Sequence, residues 1–153
     1  NDVFSAVGRV GRRAVGKKVF ADASQRRRLE DLIHPIVARR RGEIMEAEKN
    51  NPSVLAFVWD VPLLFETGLN RQCDAILFVD TPPAVRDRRL GQSRGWEAGE
   101  RARRENLQMP LDKKKELSDY TLDSTADAAD FRDQVQSVFT RIVARFESPP
   151  HRE

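Results

Sequence analysis

One long apolar stretch stands out in an otherwise polar chain. Residues 54–66, VLAFVWDVPLLFE, carry β-branched and aromatic side chains, with no glycine or proline before Pro62. This pattern predicts a buried central strand rather than an amphipathic helix. Because ligands of open α/β sheets bind beyond the carboxyl ends of the strands, we expect Asp60 and Glu66 to face such a crevice.

Further strands and helices are predicted after this stretch. The sequence at residues 75–80, AILFVD, is typical of a second buried strand, and residues 120–123, YTLD, predict a short last strand. Thr81, followed by two prolines, predicts the N-cap of a helix directly after the second strand. Residues 127–146 have apolar side chains at helical spacing and predict an amphipathic helix packed on the sheet. Buried runs separated by helical segments favour an α/β fold with a parallel sheet.

Helices are also predicted before the long apolar stretch. Asp22 or Ser24 can cap a helix whose apolar positions recur at spacings of three and four residues. Pro35 lies inside this pattern, so we expect the helix to stop or kink after Leu32. His34 at that break is a candidate site residue, although a lone histidine is more often a hydrogen-bonded structural residue.

Positive charge is concentrated in two segments. The chain has 27 Lys and Arg against 24 Asp and Glu, a formal charge of +3. Residues 1–49 hold 12 basic and 7 acidic side chains and residues 86–115 hold 10 and 5, so each segment carries +5 and the rest sums to −7. These segments suggest anionic ligands such as nucleotides or nucleic acid, and solvated helix faces explain the charge equally well.

The second basic segment, residues 86–115, has few large apolar side chains and would bury little surface alone. A charged, weakly cored helical excursion between sheet elements is typical of a mobile lid. Its arginines could then close over phosphates through bidentate contacts. A solvent-facing helical hairpin is the alternative interpretation.

Several common site types are disfavoured. The single cysteine, Cys73, excludes an internal disulfide and a cysteine-rich zinc site and fits a reducing cytosol. No apolar stretch approaches the roughly 20 residues that a membrane span needs, and no signal peptide is recognised. Gly16-Lys17 is followed by Lys18 instead of Ser or Thr, with no apolar strand before it, which argues against a phosphate-binding loop there.

A series of short motifs resembles a known family. They are FAD at 20–22, LE at 29–30, LIHP at 32–35, DVPLLFE at 60–66, FVD at 78–80, Arg104, Gln108, Lys114 and SDY at 118–120. In this order and spacing they resemble dephospho-CoA kinase, from about residue 12 to residue 139.

The resemblance implies a parallel-sheet P-loop NTPase core with a helical acceptor-binding region and a helical lid. It implies transfer of the γ-phosphoryl of ATP to the ribose 3′-hydroxyl of dephospho-CoA, the last step of coenzyme A synthesis, with Mg²⁺, in the cytoplasm and without nucleic acid or membrane partners. It also implies a division into an acceptor region at 1–50, a nucleotide-binding core at 51–82 and 117–147 and a lid at 83–116. The polar tail at 148–153 is expected to be disordered because of its composition and its place at the terminus.

The same resemblance assigns roles to basic residues of the lid. Arg94 or Arg89 is expected to contact the transferred phosphate, since phosphoryl transfer depends on positioning and on neutralising charge. Arg104 and Gln108 fit the family's R-x-x-x-Q pattern, and together with Lys114 they are expected on the nucleotide side.

The remaining candidates belong to the acceptor and metal sites. The resemblance implies that His34, Leu63, Leu64 and Glu66 line the acceptor side. Asp60 stands where a Walker-B acid would help to hold magnesium, although the family does not require an acid there.

The chain departs from the family pattern at its beginning. The family starts with a strand and a GxxxxGK[ST] loop, followed by an aspartate that acts as base on the acceptor hydroxyl, and these are not found here. We therefore expect a truncated chain that is inactive alone and is poorly stable or associated. Ser124 and Ala126 stand where the family tends to show Asn and Gly, which affects the nucleotide contact there.

Two other functions stay open. The chain could be another P-loop kinase of small metabolites or nucleotides, against which the His-Pro and PLLFE motifs argue. It could also be a basic nucleic-acid-binding module, but the basic stretches contain no interleaved aromatic residue beyond Trp96.

Overall fold

A computed structural model describes residues 10–147 of the chain. The predictions for residues 1–9 and for the tail at 148–153 lie outside this range. The chain divides into two compact units, the first ending at Val58 and the second beginning at Trp59. In chain order the elements are α1 (Arg12–Ala21), α2 (Ala23–Glu48), a 3₁₀ helix (Leu69–Gln72), β1 (Leu77–Asp80), α3 (Pro83–Arg94), α4 (Glu100–Glu105), α5 (Leu111–Glu116), β2 (Tyr120–Asp123) and α6 (Ala128–Glu147).

Helix α2 dominates the first unit. Asp22 caps it, since its Oδ1 accepts hydrogen bonds from the amides of Ser24, at 2.7 Å, and Gln25, at 3.4 Å. The expected stop after Leu32 does not occur, because α2 continues through Pro35 to Glu48. The alternative, a kink at this point, stays a prediction. Proline removes one amide donor and crowds the preceding turn, but the other turns of this helix continue on both sides of it.

The central strand predicted within residues 54–66 is not formed. Residues 54–60 have no regular secondary structure, and residues 62–68 form turns. A strand exists through hydrogen bonds to a neighbouring strand, and none within residues 10–147 pairs with this stretch. The predicted burial is wrong for the same reason, since Val58 is 87% exposed.

The second unit contains the two-stranded sheet. Strands β1 and β2 are parallel, with Leu77 opposite Tyr120 and Asp80 opposite Asp123, which confirms the predicted parallel pairing. The predicted N-cap at Thr81 is wrong: Pro82 takes that position in α3 and the Thr81 hydroxyl turns elsewhere. The prediction of proline in the first turn of this helix is confirmed.

Helix α6 packs against β2 as predicted, and their contact forms the small core. Leu122 of β2 and Val138 of α6 are the large apolar side chains that are buried among the described residues. Gln134 strengthens the contact, since its Oε1 accepts the Asp123 amide at 2.8 Å. Within residues 10–147, the helices are too short or too polar to cross a membrane.

Candidate functional site

Polar side chains meet where the two parallel strands end. Thr81 follows β1 and Ser124 follows β2, and their hydroxyl oxygens lie 2.5 Å apart. The Ser124 amide donates to the Asp80 carbonyl at 3.0 Å, which extends the register one residue beyond the strands. This carboxyl edge is where ligands bind in open α/β sheets.

Arg89 of α3 reaches this edge of the sheet. Its guanidinium donates to the Ser124 hydroxyl at 3.1 Å and to the Ser124 carbonyl oxygen at 2.7 Å. Two contacts fix the orientation of the guanidinium and place a permanent positive charge beside the strand ends. Among the predicted phosphate-contacting residues, Arg89 is therefore the one anchored at the sheet.

Lys115 of α5 adds a second positive charge at the same edge. Its Nζ lies 2.5 Å from Oδ2 of Asp80. The hydroxyl and amide of Thr125 lower the pKa of Asp123, and the charge of Lys115 lowers it further. The Asp123 carboxylate at the end of β2 is thus held in its charged form by neighbouring donors.

An ion pair between a buried lysine and a more exposed glutamate lies between the turn at residues 62–68 and α5. Lys114, only 7% exposed, donates from Nζ to the Pro62 carbonyl at 2.7 Å and to Oε1 of Gln108 at 3.0 Å. The same Nζ lies 2.9 Å from Oε1 of Glu66, which also accepts the Met109 amide at 2.7 Å. We call these five residues the Lys114 cluster.

The Lys114 cluster keeps Glu66 charged. Burial acts to raise the pKa of this carboxyl, but the hydrogen bonds from Lys114 and from the Met109 amide outweigh burial and lower the pKa below its ordinary value. The structure therefore brings together three predicted site residues, Glu66, Gln108 and Lys114, which the sequence assigned to opposite sides of the site.

Arg94 and Arg104 share one aromatic partner. The Cζ atom of Arg104 lies 4.4 Å from the ring centroid of Trp96, and that of Arg94 lies 5.7 Å from it. Arg104 also donates from Nε to Glu100 at 2.7 Å. Trp96 thus brings two of the predicted phosphate-side arginines together through cation–π contacts.

A further charge network joins α3 to α4. Glu105 accepts hydrogen bonds from both Arg86 and Arg101. Arg101 also binds both carboxylate oxygens of Asp87, with Nε 2.6 Å from Oδ1 and Nη2 3.1 Å from Oδ2. The hydrogen bonds from Arg101 lower the pKa of Asp87, which holds this carboxylate charged at neutral pH.

The other predicted site residues lie outside the sheet-edge contacts, the Lys114 cluster and the arginine contacts described above. His34 is exposed on α2 in the first unit, in mid-helix instead of at a helix end. Leu63 and Leu64 lie partly buried in the turn that holds Glu66, and Asp60 is exposed. Within the described part of the chain, no three His, Cys, Asp or Glu side chains are placed to hold a metal ion together.

The sequence predictions missed Lys115, Arg86 and Arg101. Their acidic partners lie 35, 19 and 14 residues away along the chain. Only the fold brings such pairs together, and no local spacing signals them. Ser124 was noted as a departure from the family, but not as the residue that anchors Arg89.

The dephospho-CoA kinase family model matches residues 1–130 of this chain. A dephospho-CoA kinase of Syntrophotalea carbinolica is 33% identical over 155 residues, covering 98% of this chain and 71% of that protein. The protein of the same name from Novosphingobium aromaticivorans is 35% identical, with 87% and 65% covered. That from Anaeromyxobacter dehalogenans is 37% identical, with 80% and 58% covered.

A solved structure agrees with these similarities. The crystal structure of TT1252 from Thermus thermophilus matches with a TM-score of 0.71 and 28% identity, covering 92% of this chain and 71% of that one. This likeness confirms the predicted α/β fold class. The chain spans 58% to 71% of the length of the three relatives, and the expected truncation stays a prediction. Since the family model covers most of the chain and the relatives exceed 30% identity, the chain belongs to the dephospho-CoA kinase family.

Proposed function

We propose that the complete gene product containing this chain transfers the γ-phosphoryl of ATP to the ribose 3′-hydroxyl of dephospho-CoA. The observation that carries this proposal is the family match over residues 1–130. The arginine and lysine side chains at the carboxyl edge of the parallel strands support it, because phosphoryl transfer needs positive charge positioned around the moving group.

We further propose the division of labour implied by the family pattern. Residues 1–50 bind the acceptor, residues 51–82 and 117–147 form the nucleotide-binding core, and residues 83–116 act as the lid. The elements of residues 83–116 support this assignment, since ion pairs of Arg86 with Glu105 and of Arg101 with Asp87 join α3 to α4 there.

Phosphate contacts are proposed for Arg89 and Arg94. Arg89 is anchored on Ser124 at the sheet edge, and Arg94 lies at the end of α3 beside Trp96. Charged hydrogen-bond donors near the transferred group lower the barrier because they stabilise the charge that is redistributed in the transition state. Arg104 then serves the nucleotide side of the lid from the other contact to Trp96.

The remaining candidates are proposed to act in two groups. The acceptor side comprises His34, Leu63, Leu64 and Glu66. Gln108 and Lys114 serve the nucleotide side from the base of the lid, where they already contact each other.

Magnesium is proposed to reach the site with the nucleotide. Mg²⁺ in kinase sites is usually held by one or two carboxylates together with substrate phosphates and waters. A single exposed carboxylate at Asp60 fits this pattern, since residues 10–147 offer no preformed group of three ligands. When bound, the ion would neutralise phosphate charge. We propose a cytoplasmic enzyme that does not act on nucleic acid.

The decisive experiment supplies the complete gene product with ATP and dephospho-CoA and measures coenzyme A by mass spectrometry. We expect Arg94→Ala to lower turnover at least about tenfold. Arg88→Ala is the matched control, because Arg88 is exposed on the same helix, and it should keep wild-type turnover.

Other outcomes would contradict the proposal. Turnover of nucleoside monophosphates without turnover of dephospho-CoA would favour another P-loop kinase. Binding of oligonucleotides that weakens steeply with salt, without kinase activity, would favour a nucleic-acid-binding module. Wild-type turnover in Arg94→Ala would remove that arginine from the site.

A further inference from the structure

Lys114 is the buried charged residue among those that the structure describes. A lysine is rarely buried without partners, because removing an ammonium from water is costly. Here three oxygens replace the water: the Pro62 carbonyl at 2.7 Å, Oε1 of Gln108 at 3.0 Å and Oε1 of Glu66 at 2.9 Å. The site is therefore built to hold this ammonium in one place.

The ammonium has no donor left for a nucleotide. A lysine side chain carries three N–H donors, and three acceptors lie within hydrogen-bond distance of Lys114 Nζ. A direct phosphate contact would therefore have to break one of the bonds that hold the buried ammonium in place. Lys114 is thus suited to act through its neighbours instead of touching the substrate.

The neighbours belong to two distant segments. Pro62 and Glu66 bracket the turn that contains the proposed acceptor residues Leu63 and Leu64. Gln108 and the Met109 amide lie between α4 and α5, and the Met109–Glu66 hydrogen bond joins positions 43 residues apart. The Lys114–Pro62 bond joins positions 52 residues apart.

A second contact fixes the end of α5 on which Lys114 lies. The Ser118 hydroxyl donates to the Lys114 carbonyl at 2.7 Å, and the neighbouring Lys115 binds Asp80 at the end of β1. The Lys114 backbone is therefore held by Ser118, and its neighbour Lys115 is tied to the sheet, while the Lys114 side chain is tied to the turn. A displacement of the turn would be passed to the base of the lid through these bonds.

We propose that Lys114 is a positioning residue that couples the acceptor-side turn at residues 62–68 to the lid, so that dephospho-CoA and ATP tighten each other's binding. The proposal rests on the proposed function, which supplies the two ligands. In this proposal, binding of dephospho-CoA at the turn affects the position of the lid. Glu66 transmits this effect and also lines the turn.

The test measures the affinity of the complete gene product for dephospho-CoA by calorimetry, with and without a non-hydrolysable ATP analogue. In the wild type we expect the analogue to lower the acceptor Kd at least about fivefold, in the usual range for coupling between two sites. In Lys114→Met the ratio of the two Kd values should fall to about 1.

The neighbouring lysine provides a matched control. Lys113 is exposed and pairs within its own helix, with Glu116 at 2.7 Å. Lys113→Met therefore makes the same chemical change one position away and should keep the wild-type ratio. Glu66→Gln is a gentler second variant, since it keeps the volume and an acceptor oxygen, and it should at least halve the ratio if Lys114→Met fails to fold.

Hydrogen exchange supplies a readout that needs no turnover. We expect the Met109 amide to exchange at least about tenfold faster in Lys114→Met than in the wild type or in Lys113→Met, because Glu66 loses the partner that holds it in place. Unchanged exchange in Lys114→Met would contradict the positioning role.

The outcomes separate the two proposals. A wild-type protein that makes no coenzyme A contradicts the proposed function. A wild-type protein that makes coenzyme A but shows a Kd ratio of 1 contradicts the coupling alone. A wild-type ratio that survives in Lys114→Met and Glu66→Gln also overturns it.

Discussion

Helix α2 and the segment at residues 83–116 carry similar kinds of charge but use it differently. In α2, Arg26 pairs with Glu30 and Arg39 with Glu43, each one helical turn away. Residues 83–116 contain local pairs of the same kind, such as Arg104 with Glu100. They also contain pairs that cross between elements, as between Lys115 of α5 and Asp80 of β1. Similar compositions thus give local pairs in both regions, and in residues 83–116 a tertiary network besides.

This difference shows what an excess of charge can and cannot indicate. Pairs within one helical turn support the helix weakly and do not fix its position relative to other elements. Pairs between elements hold segments at defined distances, which is what a phosphate-binding site requires. The sequence separation of the partners, and not the net charge, therefore distinguishes a solvated helix face from a candidate site.

The largest expected effect on stability comes from a buried leucine of the second unit, which is compared with an exposed leucine of the first unit. Leu122 is 4% exposed between β2 and α6, whereas Leu32 on α2 is 68% exposed. Leu122→Ala should lower the free energy of unfolding by about 2–5 kcal/mol, because it leaves a cavity in a small core. Leu32→Ala should change it by less than about 0.5 kcal/mol. Urea unfolding of both variants measures this, and equal effects would mean that α2 is packed as tightly as β2.

A smaller effect is expected when one ion-paired arginine of each region is replaced. Arg101 bridges Asp87 and Glu105 across α3 and α4, whereas Arg39 pairs with Glu43 on the surface of α2. Arg101→Met should lower the urea midpoint by roughly 0.5 M and Arg39→Met by less than about 0.2 M. Repeating the titration in high salt should change the Arg39 result most, since exposed pairs are screened. Equal urea midpoints for the two variants would mean that the ion pairs of the two regions stabilise the fold equally.

Local features of the fold followed well from the sequence. The cap at Asp22, the proline at the start of α3 and the amphipathic α6 were predicted because each depends on residues close along the chain. The apolar stretch at residues 54–66 was predicted wrongly as a strand, because apolar patterning indicates a tendency whereas a strand needs a partner. The effect of Pro35 on α2 was overestimated, because the surrounding turns of this helix tolerate one missing hydrogen-bond donor.

The candidate site followed only in part. Family resemblance singled out Glu66, Gln108 and Lys114, but it could not show that these side chains contact one another. The roles predicted for Arg94, His34 and the other site residues stay predictions. Contacts such as Arg89 with Ser124 depend on which strand ends lie side by side, and this is a property of the sheet register and not of either local sequence.

The smallest expected effect is the loss of unfolding free energy at acid pH, and it is again compared between the two regions. The Glu66 pKa lies below its ordinary value of about 4.5, because hydrogen bonds from Lys114 and Met109 outweigh the opposing effect of burial. The folded state therefore favours the charged carboxylate, and the resulting stability is fully present above the ordinary pKa and is lost as pH falls through the lowered value. The difference in unfolding free energy between wild type and Glu66→Gln should be constant at neutral pH and should shrink below about pH 4.5.

Asp22 at the start of α2 is the matched comparison for this titration. Its pKa is lowered by the hydroxyl and amide of Ser24 and then by the Gln25 amide, all within three residues. Such local contacts form partly in the unfolded chain as well, so they contribute less to the difference between the two states. Asn also caps helices well. Urea unfolding between pH 7 and pH 3 should therefore show a smaller pH dependence for the Asp22→Asn pair than for the Glu66→Gln pair. The reverse order would mean that the local cap, and not the Lys114 cluster, carries the acid-sensitive stability of this chain.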